Sequence, residues 1–263
     1  SGLYLIALSY QNLPAMLFGW FIAVVLKGIC HILYLGQPFR VWRAFTRLQT
    51  SWISRGLLFV FGFGFFAALQ MAPVFFPLLP WTGQSPLLNA LVIIFALLLM
   101  MYPGFALAYV NAVPLWNNAL LPVLFVLYAF MGGLGLFLPL GLYGGLEYRD
   151  VLFLEHNIRF LLLVSSVLLA IYLVTVGYTG RAGKESLLVL LRGDSSAMFY
   201  GGVVCLGILM PFIASLFLYA TGNLSRPLLY TAMFGELTGS FLLRYCLLRA
   251  GIYMCLIPKN SLK

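Results

Sequence analysis

The sequence predicts an all-α integral membrane protein. Hydrophobic residues make up 63% of its 263 residues and charged residues only 8%, whereas a soluble domain carries about 25% charged residues. The apolar residues form long runs, such as LVIIFALLLMM, which do not alternate with polar residues. Because only helices and closed barrels satisfy the backbone in lipid, these runs predict transmembrane helices.

Eight apolar segments, separated by turn formers such as GQPFR, LPWTGQSP, YGGLEYRD and TGRAGKES, predict eight transmembrane helices. The first segment has only about half of the roughly 20 residues that a span needs, and we expect it to be the second half of a truncated helix. We expect one transmembrane domain over residues 1–263, in which the eight helices can form two four-helix bundles. The segments are 1–10, 13–35, 54–76, 87–110, 117–143, 151–178, 197–220 and 227–256.

The distribution of Lys and Arg predicts the orientation in the membrane. The net charge is +9, and the loops on one side, with the C-terminal tail, hold Arg40, Arg43, Arg47, Arg181, Lys184, Arg192, Lys259 and Lys263. The loops on the other side hold only Arg149 and Arg226. By the positive-inside rule, the first side and the C-terminus are expected in the cytoplasm, near lipid headgroups. No Arg- and Lys-rich stretch with interleaved aromatic residues resembles a nucleic-acid-binding face, so nucleic-acid binding is not expected.

Ionisable residues inside the predicted helices mark candidate functional sites, because each costs about 2.5–3.5 kcal/mol in lipid. Lys27 and His31 are four residues apart near the end of the second segment, so they share a helix face. Arg40 follows in the next loop. Snorkelling also explains Lys27, and a bond to a backbone carbonyl also explains His31. Both interpretations of His31 stay open at this point.

The last segment contains a carboxylate at mid-depth. Glu236 lies about 15 Å into this helix, and Arg244 lies about 12 Å further on. Gly235 and Gly239 flank the glutamate, and they permit a close helix approach, so we expect Glu236 to face protein. The Glu236 side chain either pairs with Arg244 as a structural contact or handles protons and hydrogen-bonds a ligand. Near the opposite face, Glu155, His156 and Arg159 predict an interfacial cluster.

Several kinds of chemistry are disfavoured. His31 and His156 lie at opposite faces, about 30 Å apart, so they cannot hold one haem. The four cysteines form no C-x-x-C pair, so we expect no iron–sulfur cluster and no metal site in this chain. The motifs HExxH, GxxxxGK and GxSxG are absent from the sequence.

Aromatic and amide groups cluster around the end of the fourth segment, on the same side as His31. Apolar walls with a few hydrogen-bonding groups suit a ring with two carbonyl oxygens. Interfacial aromatic residues and a capped helix start explain the same residues equally well. They are Tyr102, Tyr109, Trp116 and Asn117.

Three stretches together resemble the NrfD-type family, the membrane subunits of polysulfide reductase, DMSO reductase and their relatives. The stretches are HILYLGQPFRVWRAF with TSWISRGLL, YPGFALAYVNAVPLWNNALLPVLF, and GELTGSFLLRY. The resemblance implies an eight-helix subunit of a bacterial or archaeal cytoplasmic membrane that binds menaquinone or ubiquinone and holds no haem or iron–sulfur cluster. It implies a four-cluster iron–sulfur partner and a molybdopterin catalytic subunit.

The resemblance also implies roles for individual residues. His31 matches the quinol-site histidine and is the expected proton acceptor, since imidazole titrates near neutral pH. Arg40, Tyr102, Trp116 and Asn117 fall in the quinone-binding region, and Glu236 matches a last-helix carboxylate. One departure is Gly56, which stands where the DMSO reductase anchor has a functional glutamate, so the proton route is expected to differ.

Two alternatives remain. The first is a proton-translocating protein or transporter that uses Glu236, Arg244 and Lys27, although no matched pair of broken helices supports it. The second is a purely structural anchor with the quinone site elsewhere in a complex.

Overall fold

The computed structural model describes residues 1–34, 36–222 and 225–254, and most of them are helical. Within these ranges, six helices are long and apolar enough to cross a membrane. They are α2 (Leu13–Leu33), α3 (Trp52–Phe75), α4 (Pro86–Ala108), α5 (Leu120–Tyr143), α6 (Tyr148–Gly177) and α8 (Met198–Thr221). The others are α1 (Gly2–Ser9), α7 (Arg181–Arg192) and α9 (Arg226–Arg249). The prediction of an all-helical membrane protein is confirmed.

The first and last predicted spans are helical, but they differ from the six candidate spans. Helix α1 has 8 residues, which is too short to cross a bilayer. Helix α9 has 24 residues, which is long enough, but its sequence includes Glu236 and three arginines. These charges lower its apolar character below that of the six candidate spans.

The loop expected at TGRAGKES is an error in the assignment of helices. Residues Arg181–Arg192 form helix α7, so the three basic residues counted as loop charges there lie on a helix. Its Leu190 is fully buried and its Ser186 hydroxyl accepts a hydrogen bond from the Ile252 amide at 3.0 Å. The turn-forming glycines at 180 and 183 obscured a short amphipathic helix whose apolar side is buried by tertiary contacts.

The chain divides into two compact units. Unit 1 comprises Ser1–Ala106 and Phe125–Leu154. In it the Tyr4 hydroxyl donates a hydrogen bond to Gln70 Oε1 at 2.7 Å, and the Gln70 amide donates to Asn89 Oδ1. The Trp20 indole donates to the Gly64 carbonyl at 2.9 Å and so joins α2 to α3. These polar groups are paired with one another, as groups removed from water must be.

Unit 2 comprises Leu107–Leu124 and the chain from Glu155 onward. Helices α8 and α9 meet in it through glycines. A Cβ atom on Gly239 would lie 2.2 Å from Gly207 Cα, and one on Gly235 would lie 2.4 Å from the Leu206 carbonyl oxygen. The expected close approach at Gly235 and Gly239 is therefore confirmed. The contacting half of α8, Met198–Leu209, is π-helical.

The division into units differs from two four-helix bundles. Five of the predicted segments lie wholly or mainly in unit 1 and three in unit 2. Helix α1 is too short to act as a full bundle member, and its Leu3, Tyr4, Ile6 and Ala7 are buried inside unit 1. The sequence has no demonstrable internal repeat that would have indicated this boundary.

Candidate functional site

His31 lies at the end of α2 with its side chain exposed. Its Nδ1 atom is 2.9 Å from the Lys27 carbonyl oxygen. Because a carbonyl oxygen can only accept, Nδ1 carries the hydrogen in this contact. In the neutral imidazole, Nε2 then has a free lone pair, so His31 is arranged to accept a proton at Nε2.

Lys27 connects His31 to Tyr102, a residue predicted for the quinone site. The Lys27 ammonium lies 4.4 Å from the centre of the Tyr102 ring, which is a cation–π distance. The ring itself packs directly on α3, because a Cβ atom at Gly56 would lie 2.4 Å from two of its carbons. Gly56 stands where a family member has a functional glutamate. In this chain that position packs against the Tyr102 ring.

A basic 3₁₀-helical segment, Pro38–Arg47, follows α2 and presents Arg40, Arg43 and Arg47 as exposed residues. The chain after it is held by Arg55 at the start of α3. The guanidinium of Arg55 donates to the carbonyl oxygens of Leu48 at 2.9 Å and Gln49 at 2.6 Å.

The same guanidinium lies 4.6 Å from the ring of Trp52, which stacks on Phe105 with centroids 4.7 Å apart. This stack was not predicted from the sequence. The three-residue spacing of Trp52 and Arg55, which places them on one helix face, could have indicated the first contact.

Trp116 and Asn117 lie in unit 2, and both direct their hydrogen-bond donors to groups of the protein. The Trp116 indole donates to the Leu247 carbonyl at 2.7 Å. The Asn117 amide donates to the Ala108 carbonyl at 3.1 Å and to Asn111 Oδ1. These bonds hold the turn between α4 and α5. That either residue also contacts a ligand stays a prediction. Tyr109, which precedes them in the sequence, is exposed.

Glu236 is 4% exposed, so the expectation that it faces protein is confirmed. The guanidinium of Arg244 donates to the Ser240 carbonyl at 2.9 Å, one turn away on the same helix. Glu155 of α6, also in unit 2, is a second buried carboxyl group.

Glu155 therefore differs from its predicted place in an interfacial cluster. It is 6% exposed, whereas its neighbour His156 is exposed as expected. Helix α6 begins at Tyr148, three residues before the predicted start, so Glu155 lies about two turns inside it. Arg159 follows one turn later on α6, with its guanidinium 4.7 Å from the centre of the Tyr219 ring.

The cysteines and other potential ligands show no cluster in the described ranges. Among these residues, no group of three His, Cys, Asp or Glu side chains lies close enough to hold a metal ion. Cys246 is buried, while Cys30 and Cys205 are exposed. Cys255, Lys259 and Lys263 lie outside the described residues.

These observations define a multi-pass helical membrane protein with a histidine and a basic segment at one end of unit 1. The family model described as polysulphide reductase, NrfD, matches residues 6–255. The chain belongs to this family of polysulphide reductase membrane subunits.

One curated relative is the protein NrfD homolog of Haemophilus influenzae, which is 28% identical over 170 residues. The match covers 62% of this chain and 52% of that protein, so the chain spans about half the length of this relative. No solved structure matches the chain.

Proposed function

We propose that this subunit binds a quinol at the His31 end of unit 1 and passes its electrons to an iron–sulfur partner. The observation that carries the proposal is the bond between His31 Nδ1 and the Lys27 carbonyl, which fixes the ring and leaves Nε2 as the base. Family membership supports it, because the family model covers His31 and the surrounding helices.

The residues at this end of unit 1 fit a menaquinol or ubiquinol. When bound, a quinol supplies two electrons and two protons. The exposed apolar side chains Ile32 and Leu33 lie beside His31 and suit a ring that comes from the membrane. His31 Nε2 accepts a proton from the quinol hydroxyl, and Tyr102, held between Lys27 and Gly56, forms a fixed aromatic wall.

The basic segment Pro38–Arg47 supplies the surface for the partner. Its exposed arginines, Arg40 among them, carry positive charge close in sequence to His31. Charge of one sign steers an oppositely charged partner to this face. The proposed partners are a four-cluster iron–sulfur subunit and, behind it, a molybdopterin catalytic subunit.

The finer topology belongs to the same proposal. Helix α9 acts as a further span, since its 24 residues are long enough and its Glu236 is shielded inside unit 2. Counted together with α1, the six candidate spans and α9 make the eight helices of the proposal. The excess of Lys and Arg supports a cytoplasmic position of the His31 end.

The test is quinol oxidation by the assembled complex in native membranes, with His31→Ala compared with His156→Ala. The chain has two histidines, so His156 is a matched control. A general base contributes about 10²–10⁴-fold to the rate, so we expect a loss of that size for His31→Ala and none for His156→Ala. Copurification with the partner subunits shows that the complex has assembled.

Normal turnover of an assembled His31→Ala complex would remove the proposed role of this residue. A stable lone protein that copurifies without quinone or redox partners would favour the transporter alternative, in which Lys27, Glu236 and Arg244 line a pathway. Partners without bound quinone would favour the structural anchor.

A further inference from the structure

We propose that the outward face of α6 and α8 in unit 2 binds an anionic phospholipid, with Arg159 as the ligand of the lipid phosphate. The proposal is independent of the quinol site, because Arg159 and Tyr219 both lie in unit 2. The phosphate is bound at the boundary of the bilayer core, and the acyl chains lie along the two helices.

Arg159 contacts an aromatic ring on the neighbouring helix. Its guanidinium lies 4.7 Å from the centre of the Tyr219 ring on α8, which is a cation–π distance. Arg159 is half-buried and Tyr219 is 71% exposed, so both side chains can be reached from outside the protein. Since a guanidinium has five N–H donors and the ring covers only one side of it, donors remain for a ligand.

Among the described residues, no carboxylate forms an ion pair with Arg159. Glu155 lies one turn earlier on α6 but is 6% exposed, whereas Arg159 reaches the surface. A cation on the outward side of a membrane helix is costly unless it reaches the headgroups or an anionic partner. A phosphate is such a partner, because guanidinium and phosphate form charge-assisted hydrogen bonds.

The position of Arg159 along α6 corresponds to the edge of the bilayer core. Residues 160–177 follow it without a charged residue. As a helix they span about 27 Å, which is close to the hydrocarbon thickness of about 30 Å. On α8, Tyr219 lies two residues before the last helical residue, Thr221. Both side chains are therefore near the level of the lipid phosphates.

Deeper along both helices, the exposed side chains are apolar. Leu163 and Val167 follow Arg159 at intervals of four residues, so they continue the same side of α6, and both are exposed. On α8, Leu216 and Ile213 precede Tyr219 by three and six residues and are also exposed. A cation at the boundary with apolar side chains leading inward from it matches the two parts of a phospholipid.

Charge complementarity favours an anionic phospholipid over a zwitterionic one. The choline of phosphatidylcholine balances the charge of its own phosphate, whereas the phosphate of phosphatidylglycerol has no such internal partner. Arg159 supplies the balancing charge, so the affinity should follow the net charge of the headgroup.

The test is native mass spectrometry of the purified protein, with the subunits that copurify with it, after delipidation and titration with phosphatidylglycerol or phosphatidylcholine. We expect tighter binding of phosphatidylglycerol. Arg159→Gln should lower this affinity by about 10-fold, since one hydrogen bond to a charged group contributes roughly this much. Tyr219→Leu should lower it by about 2- to 5-fold through loss of the cation–π contact.

Arg149→Gln is the matched control. Arg149 is an exposed arginine in the first turn of the same helix, so its replacement removes an equal charge and leaves the Arg159 contact with Tyr219 in place. Its affinity for phosphatidylglycerol should stay close to that of the wild type. If Arg159→Gln does not fold, as judged by size-exclusion chromatography, Tyr219→Leu and Arg159→Lys carry the test. Arg159→Lys keeps the charge but loses the planar fork that binds phosphate, so its affinity should also fall.

Three results would overturn the proposal. They are equal affinities of the wild type for the two lipids, an unchanged affinity of folded Arg159→Gln for phosphatidylglycerol, and an equal loss in Arg149→Gln. Phe160, beside Arg159, is exposed and reports on a protein partner. A crosslink to another protein chain in native membranes that depends on Phe160→Cys would place a protein on this face and would also overturn the proposal.

Discussion

Gly239→Ala should destabilise the packing of α8 against α9 in unit 2. The added Cβ atom would lie 2.2 Å from Gly207 Cα and 3.0 Å from Gly207 N. Both are backbone atoms, so neither can turn away as a side chain would. To reach the shortest ordinary contact of 3.4 Å, the two helices would have to separate locally by 1.2 Å, the difference between 3.4 and 2.2 Å.

The size of the effect follows from two opposing contributions. Overpacking a close-packed contact costs about 1–3 kcal/mol, and the backbone clash places this site near the upper end. Replacing glycine by alanine inside a helix returns about 0.5–1 kcal/mol. The net loss in free energy of unfolding is therefore about 2 kcal/mol, or about 4–8 °C in Tm for a chain of this size.

The assay is thermal stability of the detergent-solubilised protein, followed by the fraction that remains monodisperse after heating. Gly201→Ala is the matched control, because Gly201 also lies on α8 and a Cβ atom there would meet nothing within 4 Å. We expect its Tm to be unchanged or slightly raised. Equal Tm values for the two variants would refute the close approach of α8 and α9 at Gly239.

Two further predictions concern unit 1. Gly56→Ala should displace the Tyr102 ring, which lies 2.4 Å from the new Cβ position, and weaken its cation–π contact, worth about 0.5–2 kcal/mol. The quinol KM of the assembled complex should then rise by about 2- to 30-fold. Gly28→Ala is the control and should leave the KM unchanged, because a Cβ atom at Gly28 would meet nothing within 4 Å. Equal KM values for the two variants would contradict the role of Tyr102. Tyr4→Phe removes the buried hydrogen bond to Gln70 and should lower the free energy of unfolding by about 1–3 kcal/mol. The measurement is Tm, and an unchanged Tm would show that the Gln70 amide is satisfied without Tyr4.

The helices of this protein follow largely from local sequence, and the error at α7 comes from tertiary contacts. The runs of apolar residues predicted α2 to α6 and α8 to within a few residues. Helix α7 was missed because its glycines resemble a turn, and its helical state depends on burial of Leu190 and on the bond between Ser186 and Ile252.

The members of the proposed quinol site were predicted from the sequence, but the contacts between them were not. His31 and Tyr102 were found from the family resemblance and from residue chemistry. That Lys27 lies on the Tyr102 ring, and that Gly56 makes room for this ring, depends on how α2, α3 and α4 pack. Trp116 and Asn117 were also predicted, but their bonds to Leu247 and Ala108 were not.

The sequence by itself determined the class of protein, because hydrophobicity accumulates along a helix and lipid tolerates few other structures. Its motifs also determined the family. Only the tertiary structure decided that Glu155 and Glu236 are both buried in unit 2, and that the Lys27 ammonium lies over the Tyr102 ring. In a membrane helix, the side that faces lipid and the side that faces protein are both apolar. The sequence pattern therefore does not show which way a helix turns, and the partners of a buried charge follow from packing alone.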